Sequence, residues 1–353
     1  MITRYVNTAS TAGGNGTTNG TSGATRAFAS LAEALDSLPT TLVDAVTIYC
    51  SGSAADTASV TQVHWDFTTS STNYILIIGE QSPNFPGGSP TGKYDTSKYR
   101  MELTNSDGIY NNNAGHARIE GLQIQVTVTT SIANDYNCFR LATANNLNGP
   151  VDHRFGYCIA KIVVSGGATD NVFGFINSDP TSGGTCQLYN CLAYGGYCGY
   201  GSDGTAWAAS NLKNYNCTAW GNEFNWMDVQ ICVNCLSANP TTGDGFGFLS
   251  TGSTGHRNNA SDESSAVGTN SRINQTFSFV DVTGRDFHLT STDSGARNFG
   301  LANPSALYSD DIDGQARTGS WDIGFDEYVA AIDSTYEAFP KVPIKNQYLR
   351  GRA

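Results

Sequence analysis

Asp152, His153 and Arg154 stand side by side, a set that offers a general base and a cation able to steady developing negative charge. Consecutive residues on a strand face opposite sides, so a local cluster without catalysis is the expectation. Asp310, Asp311 and Asp313 are hard carboxylates of the kind that bind Ca2+ or Mg2+. Beside them, Gly314 and Arg317 suggest a turn in which Asp313 and Gly314 shape the backbone and the arginine meets an acid. Cys232 and Cys235 form a CxxC with no second pair, a weak pattern for zinc. His64, His116, His256 and His288 are scattered, and no serine or threonine is singled out by a paired histidine and acid. The sequence therefore assigns no catalytic residue, no metal ligand and no cofactor.

The elements that must hold these side chains show a repeat. Asn-Cys occurs at 190–191, 216–217 and 234–235, each time in a short apolar run. Setting Cys191, Cys217 and Cys235 in one column extends it back to Cys158 and Leu122 and forward to Asn259, at intervals of 36, 33, 26, 18 and 24 residues. Such variation suits a solenoid whose turns carry loops of different length. The position before the column reads Gly121, Tyr157, Asn190, Asn216, Asn234 and Asn258; two positions after it stand Ile124, Ala160, Ala193, Ala219 and Ser237. Column and second position thus point inward on a strand of period two. Asparagine tolerates left-handed backbone angles, so Asn190, Asn216 and Asn234 are expected at a bend with their side chains stacked in a ladder. Cys158, Cys191, Cys217 and Cys235 pack behind that bend as reduced, structural thiols. A second series of strands, rich in aromatics and glycine, follows in each coil near residues 137, 170, 196, 222 and 243.

Between inward positions the pattern turns unusual. Ile159, Leu192 and Leu236 follow the column, Tyr194 and Trp220 stand three after it, and Tyr189 and Tyr215 two before it. These face outward, an apolar strip larger than an ordinary surface patch. Three coverings compete: the chain's own long loops, a protein partner or second copy, and a glycan laid on the aromatic faces.

Thirty-nine glycines, abundant Ser, Thr and Asn and 14% charged residues in 353 describe an all-β chain with many turns. A net charge of −12 speaks against a nucleic-acid surface. No apolar run reaches the ~18 residues of a membrane span, and the opening residues lack the apolar segment of a secretory signal. Lys341, Lys345, Arg350 and Arg352 form a basic tail behind this acidic body, suited to an acidic partner or to solvent.

SLAEALDSLP, residues 30–39, spaces Ser30 and Glu33 as a capping box and sets Leu31, Leu35 and Leu38 on one face, a short helix able to close an open solenoid end. With YVNTASTAGGNGT and AFASLAEAL at the start, the Asn-Cys coils, and DFHLTSTDSGARNFG and DDIDGQARTGSWDIGFDEY near the end, the chain resembles right-handed parallel β-helix proteins of the pectate-lyase-like superfamily over residues 3 to about 329. The resemblance implies an all-β, right-handed parallel β-helix, or solenoid, with a short N-terminal capping helix. It divides the chain into an entry segment and capping helix at 1–44, coils at 45–329 and an extended tail at 330–353. The inverting glycosidases of this fold are similar to one another in motifs whose nearest fragments here are Gly115-His116-Ala117 and Asp310-Asp311, outside the regular coils. The leading expectation is a non-enzymatic structural protein of a phage virion, for capsid decoration, fibre or spike, docking through the strip and the basic arm to other virion proteins or copies of itself. A polysaccharide lyase or glycoside hydrolase in a β-helix groove, and a bacterial surface adhesin in an extracellular setting, are the alternatives; a glycan ligand is compatible with each.

Overall fold

A computed structural model describes residues 1–111, 115–129, 136–142, 152–165, 172–178, 184–202, 212–242, 244–247 and 255–330. Three parallel sheets form the walls of one tube. The first wall has eight strands, from Ile2–Asn7 through Val46–Ser51, Ile75–Gly79, Ala117–Glu120, Asp152–Gly156, Thr185–Tyr189 and Leu212–Tyr215 to Ile231–Val233. The second also has eight, from Ala55–Asp56 through Gln123–Val128, Ile159–Val164, Leu192–Tyr194, Thr218–Trp220 and Leu236–Ala238 to Ala260–Ser261, with Arg100–Thr104 between the first two. The third has five, Ile109–Asn111, Phe139–Ala142, Phe173–Ser178, Cys198–Ser202 and Phe224–Met227. Successive coils add one strand to each wall, which makes the molecule a parallel β-helix; its hand is right, that of parallel crossovers generally.

The frame read from the Asn-Cys pairs is the register of the second wall, where Ile159 pairs with Gln123 and Leu192, and Thr218 with Leu192 and Leu236. All six residues before the column are left-handed: Gly121 (φ 63°), Tyr157 (57°), Asn190 (49°), Asn216 (47°), Asn234 (57°) and Asn258 (52°). One such residue turns each coil from the first wall to the second. Tyr157 is the costly member, since a bulky side chain resists this region; its hydroxyl donates to Asp310 Oδ1 at 2.6 Å and its ring packs edge-on to Tyr189.

Leu122, Cys158, Cys191, Cys217, Cys235 and Asn259 are buried one above another, and Ile124, Ala160, Ala193, Ala219 and Ser237 form a second inward column. Each column cysteine also donates its thiol to the carbonyl two residues back, across the bend: Cys158 to Gly156 (3.2 Å), Cys191 to Tyr189 (3.3 Å), Cys217 to Tyr215 (3.4 Å) and Cys235 to Val233 (3.6 Å). Cysteine therefore suits the site twice, as a small apolar filler and as a weak donor. The third wall stacks Phe139, Phe175, Tyr200, Trp226 and Phe246 face to face, with centroids 4.7, 5.1, 4.2 and 5.5 Å apart and planes within 8°.

At the N-terminal end, the helix Leu31–Asp36 begins at Ser30, whose hydroxyl accepts the Glu33 N–H, and buries Leu31, Ala32, Ala34 and Leu35 in the core that lines the tube. Both expected boundaries shift. Ile2–Asn7 is already the first strand of the first wall, because it pairs in parallel with Val46–Ser51, so the entry segment is part of the coils. The coils stop short of 329: after Ala260–Ser261 only single bridges continue, at Arg257–Thr269 and Ala260–Arg272. From Phe277 the chain turns back. A hairpin of Phe279–Asp281 with Asp286–Leu289 and the loops after it lie along the outside of the second wall. The tail with Lys341, Lys345, Arg350 and Arg352 lies outside the described residues.

Candidate functional site

The outward strip exists, and the chain covers it itself. Ile159, Leu192, Tyr189 and Tyr194 share a buried cluster with Phe287, Tyr308, Ile312, Trp321 and Phe325. Leu236 joins Leu289, Ala296 and Ile323 in the next, while Trp220 touches both clusters. Tyr308 stacks on Tyr189 (5.1 Å, 6°), and Phe287 meets Tyr194 at 5.6 Å and Trp220 at 5.1 Å. Arg285 places its guanidinium 4.3 Å from the Trp220 ring centre. Only Tyr215 and Trp220 remain half-exposed, at the rim. The expectation that Ile159, Leu192, Tyr194, Trp220, Leu236, Tyr189 and Tyr215 form a docking face for a partner or glycan is thus corrected. A covering segment tethered to the same chain loses no translational freedom on docking, whereas a separate partner does. Each Leu or Ile taken from water adds about 1.5–3 kcal/mol.

The asparagines act at this seam. Asn190 Nδ2 donates to Asp310 O (2.8 Å), Asn216 Nδ2 to Asp322 O (3.0 Å) and Gly324 O (2.9 Å), Asn234 Nδ2 to Leu301 O (2.8 Å) and Asn258 Nδ2 to Phe299 O (2.9 Å). In return Tyr308 Oη donates to Asn216 Oδ1 and Leu301 N to Asn234 Oδ1. The expected ladder is reduced to one rung, Asn234 Nδ2 to Asn216 Oδ1 at 3.0 Å. A side chain on a left-handed residue here projects away from the tube, so its amide meets the covering segment rather than the next coil.

Arg317 is the hub of that segment. Its buried guanidinium donates to Asp310 O, Glu327 Oε2, Gly324 O, Phe325 O and Asn190 Oδ1 at 2.9–3.1 Å. The acid it meets is Glu327. Asp311, rather than Asp313, shapes the turn: its Oδ1 accepts from Asp313 N and Gln315 N, and its Oδ2 from Glu327 N.

Asp313 instead faces His288. On the strand Asp286–Leu289, positions 286 and 288 share a face, and Asp286 Oδ1 lies 2.5 Å from His288 Nδ1. His288 Nε2 lies 3.1 Å from Asp313 Oδ2, close enough for an ion pair but without hydrogen-bond alignment. Asp326, 4% exposed, completes the group and accepts Leu289 N–H on Oδ2 at 2.6 Å. Lys93, from the loop before Arg100–Thr104, pairs with Asp286 at 2.9 Å. Burial disfavours the imidazolium of His288, but Asp286, Asp313 and Asp326 outweigh it and push its pKa up to about 10. Burial raises Asp326 to about 7 and Asp311 to about 6. For Asp286 burial acts upward too, yet bonds from His288 and Lys93 hold it well below the usual carboxylate range. In the sequence His288 is one of several scattered histidines; the signal for it is the i, i+2 spacing of Asp286 and His288 on a strand.

The other chemical candidates separate. Asp152 and Arg154 pair at 2.6 Å on the outer side of the first wall, while His153 is buried on the inner side, where its Nδ1 accepts Ala117 N–H. His116 is buried beside Thr69, away from Asp310 and Asp311. Cys232 and Cys235 are both buried; the Cys232 N–H donates to His256 Nδ1 at 3.0 Å, and among the described residues the pair belongs to no group of three or more metal-ligating side chains.

Fold and site together define a right-handed parallel β-helix protein whose second wall is sealed by its own C-terminal segment. No protein-family model matches the chain, and no curated protein matches it. Among solved structures, the crystal structure of pectate lyase Pel9A is similar to it, at 12% identity and a TM-score of 0.39, with 93% of this chain and 97% of that one covered.

Proposed function

We propose that this chain is a non-enzymatic structural protein of a phage virion, a decoration, fibre or spike component, that engages copies of itself or other virion proteins through its basic C-terminal arm. The observation that supports this reading is the pairing of a fixed root with a charge contrast. The covering segment is held to the coils through Glu327, which pairs with Arg317, and Tyr328, whose N–H donates to Asp322 Oδ2 at 2.7 Å. Residues 331–353 follow directly, with four Lys or Arg against two Asp or Glu; of the total charge of −12, the rest of the chain therefore carries −14. A basic arm rooted on an acidic body is complementary to the body of a neighbour, and such attraction steers association over about a Debye length.

Mass spectrometry of purified virus particles is the direct test, with stoichiometric presence expected. Sedimentation of the full chain and of a version ending at residue 330 tests the arm: the full chain associates at low salt and disperses near ~1 M salt, where the Debye length is about 3 Å, while the shortened chain stays monomeric throughout. Absence from particles together with cleavage of an acidic polysaccharide overturns the proposal.

A further inference from the structure

We propose that His288 Nε2 and one carboxylate oxygen each from Asp313 and Asp326 form a binding site for a single divalent transition-metal ion, with Zn2+ as the preferred occupant, that fastens the covering segment to itself. The inference is independent of the virion reading.

The three ligand atoms all lie within 4.8 Å of one another. Ligand atoms of a tetrahedral zinc ion stand about 3.3–3.6 Å apart, so a closure of at most about 1.5 Å completes the set. Two further observations point to a missing ligand. Asp313 Oδ1 is a buried atom without a hydrogen-bond partner, and His288 Nε2 faces Asp313 Oδ2 at 3.1 Å without hydrogen-bond alignment; such atoms are scarce in a native interior. Asp326 is almost wholly buried, yet its one side-chain hydrogen bond comes from Leu289 N–H onto Oδ2.

The surroundings fit a metal as well. Asp286 Oδ1 sits 2.5 Å from Nδ1 and holds a proton there, so the proton an incoming metal displaces is the one on Nε2, the nitrogen that faces Asp313 and Asp326. A carboxylate holding the far nitrogen of a ligating histidine is the usual outer partner of such sites. Gly92 (φ 58°) borders the group: a Cβ there would lie 2.2 Å from Nε2 and 2.8 Å from Asp313 Oδ1, so a larger residue would fill the space beside both atoms. One imidazole with two carboxylates suits Zn2+ or Mn2+ better than Ca2+, which takes six to eight oxygens. The ligands come from three separate passes of the covering segment, so an ion would tie the hairpin strand, the Asp311–Arg317 turn and the Asp326 pass at one point.

The test is calorimetric titration of the chelator-treated full chain with Zn2+, alongside Co2+ absorption spectroscopy and thermal melts. One ion per chain is expected, with a visible Co2+ spectrum of nitrogen and oxygen ligation and a higher melting temperature at saturation. Asp326→Asn keeps an acceptor for Leu289 N–H and should abolish the thermal gain; Asp286→Asn should weaken affinity about 10–100-fold while keeping one site. Circular dichroism establishes that each variant is folded, and the wild-type titration needs no variant at all. The proposal is overturned if the wild type binds no ion, if Asp326→Asn and His288→Gln bind as tightly as wild type, or if a thiolate charge-transfer band places Co2+ on cysteine.

Discussion

Arg317 Nη2 donates to Asn190 Oδ1 at 3.1 Å across 127 residues of sequence, joining the centre of the covering segment to the bend of a coil. The same guanidinium pairs with Glu327 in a site closed to water. Removing one partner of a buried ion pair typically costs about 3–5 kcal/mol, because the other charge stays behind. Arg317→Ala should therefore lower stability by that order in urea unfolding and expose the strip to a hydrophobic dye. Arg317→Ala with Glu327→Gln should lose less than Arg317→Ala alone. A single-variant loss below about 1 kcal/mol, the range of an exposed pair, would remove Arg317 from its role as hub.

Asn216 combines two functions that substitution can separate. Its left-handed backbone (φ 47°) favours Asn or Gly, and its amide serves Asp322 O, Gly324 O and Tyr308 Oη. Asn216→Gly keeps the backbone and strands those groups, an expected loss of about 1–3 kcal/mol. Asn216→Ala adds about 1–2 kcal/mol for the left-handed conformation. Equal stabilities for the two variants would show that the bend is not what selects this residue.

The bends and the inward columns were legible because both are local. A left-handed residue and the small side chain after it are neighbours in sequence, and six repetitions made them stand out. The strands of the third wall, marked by aromatics and glycine in each coil, were legible for the same reason, though not the stacking of their rings. What covers the strip was not, since an apolar outer position reads alike whether a loop, a partner or a glycan meets it. Phe287 reaches Tyr194 and Trp220 through a reversal of the whole chain, and no periodicity records that contact. The acid and histidine group stayed hidden because Asp313 and Asp326 reach His288 from separate passes.

All nine cysteines are buried thiols. For Cys138, Cys186, Cys191 and Cys198 burial raises the thiol pKa well above its ordinary value, which lowers both ionisation and reactivity. Burial pushes Cys232 the same way, but Cys235 and His256 outweigh it and bring that thiol down to about 7, so its lack of exposure alone shields it. Thiol titration of the folded chain should give almost no reaction, and titration in denaturant without reductant should give nine. Cys191→Ser keeps a donor to Tyr189 O but places a hydroxyl in an apolar column, whereas Cys191→Val crowds it. Both should destabilise, by about 1–3 kcal/mol. A denatured count well below nine would mean that disulfides form.

Stability should fall as pH rises across the neutral range, opposite to the trend set by ordinary salt-bridged carboxylates. Asp311 and Asp326 hold protons more tightly in the folded chain, with pKa values of about 6 and about 7 against an unfolded value near 3.9. Their contribution is complete below about pH 4 and is lost as pH passes through those folded values. His288 adds a second loss, complete below its unfolded value of about 6.5 and lost as pH rises through about 10. Asp286 acts the other way: its lowered pKa contributes stability above about pH 4 that disappears on further acidification. The optimum should therefore fall at mildly acidic pH, and urea midpoints of the chelator-treated chain should decline from about pH 5 through about pH 7 to about pH 9. Asp326→Asn should flatten the first part of that decline and His288→Gln the second. A midpoint that climbs from pH 5 to 7 in the wild type would show that these groups exchange protons with solvent as freely as exposed ones do.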